Sequence, residues 1–424
     1  MDEEVMRKKH IAMYIGSLNK GGAERVMCNL AEYFYGIGYD VTLVTTYLAD
    51  DEFEVPHGAY KRASKEDYER FIADSEVSSD ELKTKVLKVL TPEEEIRYVE
   101  VPVSEDEDAK GIRREFTALL PEEKGGRISN FTRRLGKLTD TWERINPDLI
   151  LSFLGKNNVM AIQSARGLGI PVVVSVRSNP SREYASKGLN LAMNYLFPKA
   201  AGVVLQTTGA AEYFKESIRK KSRILPNSIN ERFMTAPVTD IEGRKKKIVS
   251  VGRLDENKNQ ILLIKAFEKI YKDFPDYELV IYGDGPSRKA FEEYADKTGA
   301  NITFTGNVSD VPDKISDARI FVLTSKQEGM PNALIEAMSM GIASISTDCP
   351  CGGPRDIIED GENGMLVGMA DETTTVNELA DKLKELMSDE EKQIKLSKNA
   401  VKVREAYSPD NINRMWKEYF ESLM

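Results

Sequence analysis

The sequence is poor in histidine and cysteine. Its 424 residues include only two histidines, His10 and His57, which argues against a histidine-centred catalytic triad or a multi-histidine metal site. The three cysteines are too few for a disulfide framework and suit a reducing compartment. Two of them form Cys349-Pro-Cys351, but the neighbouring sequence has no further thiol or histidine to complete a zinc site. We therefore expect a protein of a reducing compartment that holds no metal.

Long apolar runs and a surplus of positive charge are also missing. No apolar segment approaches the roughly 18 residues that a membrane helix needs. The first residues, Met1-Asp2-Glu3-Glu4, lack the basic start and apolar core of a signal peptide. The net charge of −10 argues against nucleic acid as the main partner, because phosphates are bound by basic surfaces. These absences predict a cytoplasmic protein with no nucleic-acid partner.

Short segments rich in β-branched residues alternate with segments of helical periodicity, which is typical of parallel α/β architecture. Strands are predicted at His10–Ile15, Asp40–Thr46, Asp148–Phe153, Pro171–Val176 and Gly202–Gln206, and then at Ile248–Val251, Glu278–Tyr282, Ile302–Thr305, Ile320–Leu323, Ala343–Ser346 and Met365–Val367. Each series is long enough for one doubly wound, Rossmann-like domain. We predict a first domain over 1–235, a second over 236–408 with Met234–Arg244 as linker, and a helix over 409–424 that packs back on the first domain.

Residues 50–130 interrupt this alternation and are predicted to be an insertion at the rim of the first domain. Two polar segments, Lys65–Ala73 and Asp80–Val89, are predicted as helices, and the acidic run Glu105–Asp108 follows them. Asp106-Glu107-Asp108 matches an Asp-x-Asp metal motif, but it does not follow an apolar strand, so we interpret it as a solvated acidic surface. A lid and a partner surface both stay open as roles for the insertion.

The most specific motif contains two glutamates, Glu328 and Glu336, and follows a predicted apolar strand. Pro331 fits the first turn of a helix, and the backbone amides around Gly329–Asn332 would then face the carboxyl end of the sheet. Two carboxylates so placed can accept hydrogen bonds from the hydroxyl groups of one elongated sugar ligand. The alternative interpretation is one helix-capping acid and one surface acid.

Cationic and glycine-rich loops follow other predicted strands. Gly252-Arg253 and Lys258 leave the first strand of the second half, where a cationic pair fits a leaving diphosphate whose charge grows in the transition state. Gly283 follows the next strand, and a glycine there lets a ligand approach the backbone. Gly21-Gly22 begins the first predicted helix, where it can abut a phosphate, although its spacing matches neither a dinucleotide fingerprint nor a Walker loop. A surface loop or a tight turn is the alternative at each position.

Together these motifs resemble the retaining glycosyltransferases of the GT-B fold, specifically glycosyltransferase family four and its subgroup of bacterial surface or lipid-linked glycan synthesis. The resemblance also includes Leu225-Pro226-Asn227-Ser228 and the segment from Thr347 to Pro354, and it covers nearly the whole chain except about 50–130. It implies an α/β protein with two Rossmann-like doubly wound domains and an interdomain cleft. The first domain would bind the acceptor, and the second would bind a nucleotide sugar.

The resemblance implies roles for individual residues. Arg253 and Lys258 would hold the donor diphosphate and Glu328 the donor sugar, and these three form the predicted catalytic set. The predicted donor-binding residues are Gly21, Gly22, Gly252, Gly283, Asn307, Val308, Gly329, Met330, Pro331, Asn332 and Glu336. Glu336 would hold the ribose, and the loop that begins at Asn307 would hold the base. No metal or cofactor is implied besides the nucleotide-sugar substrate, for which UDP is the family-level preference.

One family feature is missing. Many relatives carry a histidine after a strand of the first domain, whereas the comparable segment here, Val174–Pro180, has none. We predict that Arg177 in this segment, and Asn157 upstream of it, face the donor or the acceptor. The missing histidine leads to the hypothesis that the leaving phosphate itself takes the acceptor proton.

Three functions follow from these observations. The leading one is transfer of a hexose or N-acetylhexosamine from a UDP-sugar to a glycan or lipid-linked glycan, with peripheral contact at the inner membrane face. A nucleotide-sugar epimerase on the same scaffold is a second, against which the scarcity of histidine counts. A non-catalytic partner of another glycosyltransferase is a third, but a scaffold has no physical need for the charged set of Arg253, Lys258, Glu328 and Glu336.

Overall fold

A computed structural model describes residues 7–75, 84–102 and 111–424 of the chain. Its helices are, in chain order, α1 (Gly22–Gly36), α2 (Lys65–Ser75), α3 (Arg127–Ile145), α4 (Gly155–Ser164), α5 (Pro180–Glu183), α6 (Lys187–Leu196), α7 (Thr208–Glu212), α8 (Glu216–Arg219), α9 (Glu231–Met234), α10 (Gln260–Ile270), α11 (Arg288–Thr298), α12 (Val311–Ile315), α13 (Asn332–Ser339), α14 (Gly353–Ile357), α15 (Glu372–Ser388), α16 (Glu390–Ala400), α17 (Val403–Ala406) and α18 (Pro409–Glu421). None of these described helices is long and apolar enough to cross a bilayer.

The described residues divide into two compact units. The first contains the described residues up to 204 together with 215–223 and 416–424, and the second contains 205–214 and 224–415. Each unit has its own α/β sheet, so the predicted two-domain α/β architecture is confirmed.

The unit bounds differ from the predicted domain bounds. Residues 224–235, expected in the first domain, belong to the second unit. Ile229 and Phe233 are buried in the core of that unit, and the Ile229 N–H donates to the carbonyl of Tyr407 at 2.9 Å. The predicted linker, Met234–Arg244, therefore lies inside the second unit, because apolar side chains upstream of it already pack there.

One seven-stranded sheet organises the first unit. The strands up to residue 224 are β1 (His10–Ile15), β2 (Asp40–Thr45), β3 (Lys61–Ala63), β4 (Thr84–Leu90), β5 (Ile96–Pro102), β6 (Arg113–Phe116), β7 (Leu149–Phe153), β8 (Val172–Val176), β9 (Gly202–Leu205) and β10 (Ser222–Ile224). The sheet order is β10-β9-β8-β7-β1-β2-β6, and β1 pairs in parallel with β2 and β7. Every residue of β1 is buried, as expected for a central parallel strand covered on both faces.

The segment 50–130 contains a small antiparallel sheet in place of one predicted helix. The helix predicted at Lys65–Ala73 is confirmed as α2. The helix predicted at Asp80–Val89 is wrong for the residues described, because they form β4, which pairs with β5. Valines of both strands share a buried cluster with Leu48, and β-branched side chains favour a strand in that environment. The acidic run Glu105–Asp108 lies outside the described residues.

The C-terminal helix contributes aromatic side chains to the core of the first unit. The ring centroid of Trp416 lies 6.3 Å from that of Phe153, and Phe420 stacks on Phe34 at 5.1 Å. Both helix residues are fully buried. The last turns of α18 are therefore part of this core. Burying each of these large apolar side chains stabilises the fold by about 1.5–3 kcal/mol.

A six-stranded parallel sheet organises the second unit. Its strands are β11 (Lys245–Val251), β12 (Glu278–Tyr282), β13 (Ile302–Gly306), β14 (Ala318–Leu323), β15 (Ala343–Thr347) and β16 (Met365–Val367), in the order β13-β12-β11-β14-β15-β16. These six confirm the six strands predicted for this half, with bounds that differ by at most three residues. Apolar clusters cover both faces of the sheet, which explains why its strands read as nearly continuous apolar runs.

Each sheet reverses its direction of winding once. In the second unit the chain proceeds from β11 outward to β12 and β13, then crosses to β14 on the other side of β11. In the first unit the chain proceeds from β1 to β2, and later crosses to β7 on the other side of β1. The loops that follow the two central strands diverge at such a point, and the crevice between them is where open α/β sheets bind ligands.

Crowded glycines bring the loops after β11 and β12 together. Gly283 has a φ of +129°, and a Cβ added there would overlap the carbonyl oxygen of Gly252. The Gly283 N–H donates to the carbonyl of Gly306 at 2.9 Å, and the Gly252 N–H donates to that of Tyr282 at 3.0 Å. Gly283 thus serves the close approach of two backbones, which any side chain would prevent.

Substituting Gly283 by alanine should destabilise the second unit. We expect Gly283→Ala to lower the free energy of unfolding by about 3 kcal/mol, because the methyl group adds a backbone clash to the cost of a positive φ. Gly361→Ala is the matched control: its φ is +77°, but no atom lies within 4 Å of the added Cβ, so only the φ cost of about 1 kcal/mol remains. Equal losses for the two variants in urea unfolding would contradict this account.

Candidate active site

Two loops meet at the carboxyl edge of the second sheet, where β11 and β14 diverge. The loop after β11 carries Lys258, and the loop after β14 carries Glu328. The Lys258 Nζ donates to the Glu328 Oε1 at 2.6 Å. The side chains are 26% and 11% exposed, so the ion pair is largely withdrawn from solvent while its edge stays accessible. The structure therefore brings together two of the three predicted catalytic residues.

Short-range hydrogen bonds hold this ion pair in place. The Asp255 carboxylate accepts the backbone N–H groups of Asn257 and Lys258 at 2.9 and 2.8 Å, which fixes the turn before the lysine. The Ser325 hydroxyl donates to the same Glu328 oxygen at 2.5 Å. The Lys258 cation and the Ser325 hydroxyl thus converge on one carboxylate oxygen, which pre-orients the carboxylate.

Arg253 occupies the same edge but extends toward solvent. Its side chain is 71% exposed, and its Nε lies 3.9 Å from the Asp255 carboxylate. The Arg253 carbonyl accepts a hydrogen bond from the Gln260 side chain at 3.1 Å, which anchors the backbone while the guanidinium projects outward. An exposed guanidinium on an anchored backbone can form bidentate hydrogen bonds with an anion at this edge.

The loop before α13 is tightly supported. A Cβ on Gly353 would overlap the carbonyl oxygen of Gly329, so the two backbones are in direct contact. The Asn227 side chain donates to the Asn332 Oδ1 at 2.8 Å. α13 begins at Asn332, so its N-terminus lies at the carboxyl edge of the sheet, although the N–H groups of Leu334 and Ile335 already donate to the Pro331 carbonyl. Glu336 lies on the second turn and is half-buried.

The side chains of four predicted donor-binding residues differ in their surroundings. The Met330 side chain is buried in the hydrophobic core of the second unit, so only its backbone could contact a ligand. Val308 packs against that same core, whereas Asn307 is exposed after β13. Pro331 is buried immediately before α13. Gly283, as described, is occupied with backbone packing.

The predicted residues of the first unit lie at the carboxyl edge of its own sheet. The Asn157 side chain donates to the carbonyl of Phe153 at 3.0 Å, and the Arg177 guanidinium lies 4.9 Å from the centroid of the Phe153 ring. Burial lowers the pKa of Arg177 to about 10. Gly21-Gly22 begins α1, and a Cβ on Gly21 would overlap the carboxylate of Glu24, whose pKa is raised by burial.

Two family models match consecutive parts of the chain. Residues 21–228 match the glycosyl transferase 4-like domain, and residues 234–403 match the glycosyl transferases group 1. The chain belongs to the glycosyltransferases. The family assignment made from the motifs of the sequence is therefore confirmed at this level, and this glycosyltransferase is an enzyme.

Individual relatives support the assignment. One is the Campylobacter jejuni GalNAc-α-(1→4)-GalNAc-α-(1→3)-diNAcBac-PP-undecaprenol α-1,4-N-acetyl-D-galactosaminyltransferase, 27% identical over 292 residues, which cover 68% of this chain and 79% of that protein. Another is the Bacillus subtilis poly(glycerol-phosphate) α-glucosyltransferase, 31% identical over 193 residues, covering 45% of this chain but only 28% of that longer protein.

Solved structures of low sequence identity share the fold. HepE of Anabaena, solved in complex with UDP, is 17% identical with a TM-score of 0.71, and the match covers 98% of this chain and 100% of HepE. Sucrose-phosphate synthase of Thermosynechococcus elongatus is 17% identical with a TM-score of 0.68, over 98% and 99% of the two chains. This glycosyltransferase therefore has the GT-B fold, as predicted.

Sequence reasoning missed one titratable residue beside Arg177. Glu183 of this glycosyltransferase is largely buried, and burial raises the pKa of its carboxyl to about 6, although the Ser178 hydroxyl donates to it at 2.8 Å. A buried carboxyl with a shifted pKa at the carboxyl edge of an α/β sheet is a candidate functional group. The only sequence signal was Asn179-Pro180, an N-cap and first-turn pair that starts α5 and positions Glu183.

Glu183 should make the stability of the first unit depend on pH. Its folded pKa of about 6 exceeds the ordinary 4.5, so the native state retains the proton longer than the unfolded state and loses stability as pH rises through this window. We expect Glu183→Gln, measured by urea unfolding from pH 4 to 8, to gain about 2 kcal/mol relative to the parent protein between pH 4.5 and 6. Glu143→Gln, at an exposed glutamate of α3, controls for the loss of charge; parallel pH curves for parent and Glu183→Gln would contradict the prediction.

The ion pair of Lys258 and Glu328 should be energetically coupled. In a double-mutant cycle with Lys258→Met and Glu328→Gln, we expect a coupling free energy of about 1–2 kcal/mol in urea unfolding, because either single change leaves a mostly buried polar partner. The exposed pair of Lys289 and Glu293, 3.9 Å apart on α11, provides the control cycle and should show no measurable coupling. Additive effects of the two substitutions at the site would show that the pair does not form in solution.

Proposed function

We propose that this glycosyltransferase moves a hexose or N-acetylhexosamine from a UDP-sugar to a glycan or lipid-linked glycan, with retention of the anomeric configuration and without a metal ion. The observation that carries the proposal is the ion pair of Lys258 and Glu328 beside the exposed Arg253, at the point where the second sheet reverses its winding. The acceptor would be used at the inner membrane face, where the enzyme makes peripheral contact.

Charge placement supports the assignment of the donor site. In sugar transfer the bond between the anomeric carbon and the diphosphate breaks, so negative charge grows on the leaving diphosphate. Lys258 and Arg253 together supply two positive charges that stabilise this leaving group, which is the task a divalent metal performs elsewhere. The pre-oriented Glu328 carboxylate would accept hydrogen bonds from hydroxyl groups of the sugar.

The remaining donor contacts come from backbone and from one further carboxylate. The backbone N–H groups of Gly329, Met330 and Asn332 would donate to phosphate or sugar oxygens, whereas Pro331 has no N–H to donate. Glu336 would accept from the ribose hydroxyls, and Asn307-Val308 would contact the base. A Cβ added to Gly252 would meet only the Lys258 side chain, at 3.6 Å, so a ligand can approach this backbone closely. Gly21 and Gly22 stay predicted donor-binding residues. UDP as nucleotide is supported by HepE, which was solved with UDP.

The acceptor class is supported by the relatives. The Campylobacter jejuni relative acts on a diphospho-undecaprenol-linked glycan, and the Bacillus subtilis relative acts on poly(glycerol phosphate). Asn157 and Arg177 would lie near the transferred sugar or the acceptor in the first unit. With no histidine at the corresponding strand end, the leaving phosphate oxygen would accept the proton of the attacking hydroxyl, so no protein base is required.

A UDP-release assay across a panel of UDP-sugars, with and without candidate acceptors, tests this proposal. We expect release with one donor, and a loss of at least about 100-fold in Lys258→Ala and Glu328→Ala, because each removes a charged group that contacts the reacting donor. Lys289→Ala, at an exposed cation of the same unit, should keep full activity.

Retention of configuration, metal independence and the epimerase alternative are each tested by a separate measurement. Nuclear magnetic resonance of the product should show the same anomeric configuration as the donor, and activity should survive the chelator EDTA. Formation of an epimerised UDP-sugar in the absence of acceptor would favour the epimerase instead. Absence of both UDP release and UDP binding by calorimetry would refute the UDP-sugar proposal.

A further inference from the structure

A buried ion pair of the first unit has no part in the chemistry proposed above. Arg114 of β6 donates to both carboxylate oxygens of Glu52, from Nη1 to Oε2 at 2.6 Å and from Nη2 to Oε1 at 2.8 Å. The two side chains are 0% and 8% exposed. Both residues lie in the segment 50–130, which interrupts the alternation of strands and helices in the sequence. The role of this pair therefore bears on the role of the whole segment.

Two aromatic rings enclose the arginine. Its guanidinium carbon lies 5.0 Å from the centroid of the Tyr60 ring and 4.8 Å from that of the Phe116 ring. The Arg114 Nε donates to the hydroxyl of Thr45, at the end of β2, at 3.2 Å. Every nitrogen of the guanidinium thus has a partner, and both of its faces are covered. An arginine bound in this way is held in one orientation.

Stability alone does not account for a buried ion pair. Charged groups lose their hydration on burial, and an apolar pair of similar volume often stabilises a fold equally well. An apolar pair cannot, however, accept hydrogen bonds from backbone N–H groups that are buried beside it, and such groups need an acceptor. The structure shows that the Glu52 carboxylate performs this second task.

Glu52 accepts hydrogen bonds from two loops at once. Its Oε1 accepts the Ala49 N–H at 2.9 Å, in the residues after β2, and the Leu18 N–H at 3.3 Å, in the residues after β1. The Leu18 carbonyl accepts the Phe53 N–H at 2.9 Å, and Asn19 forms an antiparallel β-bridge with Glu52. The start of the segment 50–130 is therefore joined to the loop after β1 through both side chain and backbone.

This anchored loop leads directly into α1. Leu18 is fully buried, and only Lys20 separates the anchored Asn19 from Gly21. The Asn19 carbonyl accepts the Gly21 N–H at 2.7 Å, and α1 begins at Gly22. Glycines have more backbone freedom than other residues, so the position of Gly21 and Gly22 depends on what holds the residues before them.

We propose that the segment 50–130 is a fixed brace for the loop after β1. Arg114 orients the Glu52 carboxylate, and Glu52 holds the loop so that the predicted donor-binding residues Gly21 and Gly22 keep one position. Glu52 and Arg114 are then positioning residues, and the donor role of the two glycines rests on the proposed function. A loop that is ordered in advance loses less conformational entropy when a ligand binds. The brace replaces the lid and the partner surface that the sequence left open for this segment.

Hydrogen exchange of the unmodified protein distinguishes a brace from a lid. The hydrogen bonds of the brace are already formed without ligand, so UDP should not protect them selectively. We expect the exchange rates of the Leu18, Ala49 and Phe53 amides, each divided by that of Met13 in the core strand β1, to change less than about twofold when UDP is added. A selective slowing of about tenfold or more would show that the segment closes over the ligand as a lid, and would overturn the brace.

Two double variants separate the hydrogen-bond acceptor from the ion pair. Glu52→Leu/Arg114→Met replaces the pair by apolar side chains and leaves the Leu18 and Ala49 N–H groups without their acceptor. Glu52→Gln/Arg114→Met also removes the ion pair but retains an oxygen that can accept them. We expect the two amides to exchange at least about tenfold faster in the leucine variant than in the glutamine variant. Equal exchange rates in the two variants overturn the proposal.

The same two variants test the position of the donor loop. Glu52→Leu/Arg114→Met should raise the KM for the UDP-sugar at least about tenfold, because a loosened loop must be ordered on binding. Its kcat should change less than about threefold, since Lys258 and Glu328 lie in the second unit. Glu52→Gln/Arg114→Met should keep both constants within about threefold of the parent protein. An equal KM in the two variants contradicts a positioning role.

An exposed ion pair of the same segment provides the control. Lys65 and Glu69 lie 3.5 Å apart on α2, and their side chains are 66% and 62% exposed. Lys65→Met/Glu69→Gln should leave both the exchange rates and the kinetic constants unchanged. Should the leucine variant fail to fold, the exchange comparison on the unmodified protein still decides between brace and lid.

Failure of this inference can be told from failure of the proposed function. The exchange comparison between the two double variants needs no nucleotide. Faster exchange in the leucine variant, together with a parent protein that binds no UDP in calorimetry, would refute the UDP donor and leave the brace standing. UDP binding by the parent protein, together with equal exchange in both variants, would refute the brace and leave the donor standing.

Discussion

Parallel strands joined by crossovers leave an open crevice only where the chain reverses its direction of winding. In the second unit this reversal separates β11 from β14, so loops from distant parts of the chain emerge side by side. Lys258 and Glu328 are 70 residues apart in sequence and 2.6 Å apart in space for this reason. The same constraint acts in the first unit, where a cavity of about 700 Å³ opens at the point where β1 and β7 diverge. The position of both crevices therefore depends on strand order.

Tight backbone contacts form the crevice of the second unit, and charged side chains lie at its edge. Gly283 and Gly353 allow backbones to meet where any side chain would intervene, which holds the loops rigidly enough to fix an ion pair. Ser325 and Asp255 then orient the glutamate and the turn before the lysine. A site assembled in this way needs little rearrangement when charge develops on a ligand, which is the main source of electrostatic catalysis. Support from the backbone and placement of charge are thus separate tasks of neighbouring residues.

Much of the fold was predictable because burial repeats with the period of the local backbone. Short runs rich in β-branched residues predicted five of the seven strands of the first sheet and all six of the second, since parallel strands are covered on both faces. β6 and β10 were not predicted. The pair of glutamates, eight residues apart across a Pro331 helix start, predicted the loop and helix after β14 for the same local reason. Local patterns failed in the described part of Asp80–Val89: the residues suggested a polar helix, whereas residues 84–89 pair with β5 and form a strand.

What the sequence determined by itself was the class of fold, the family and the loops that carry the charged residues, because these follow from short-range periodicity and from motif spacing. Only the tertiary structure decided which of those residues meet. It joined Lys258 to Glu328, placed Met330 in the core and gave Glu183 its raised pKa by burial. These outcomes depend on long-range packing, in which a side chain's neighbours come from elements that no local window of sequence contains.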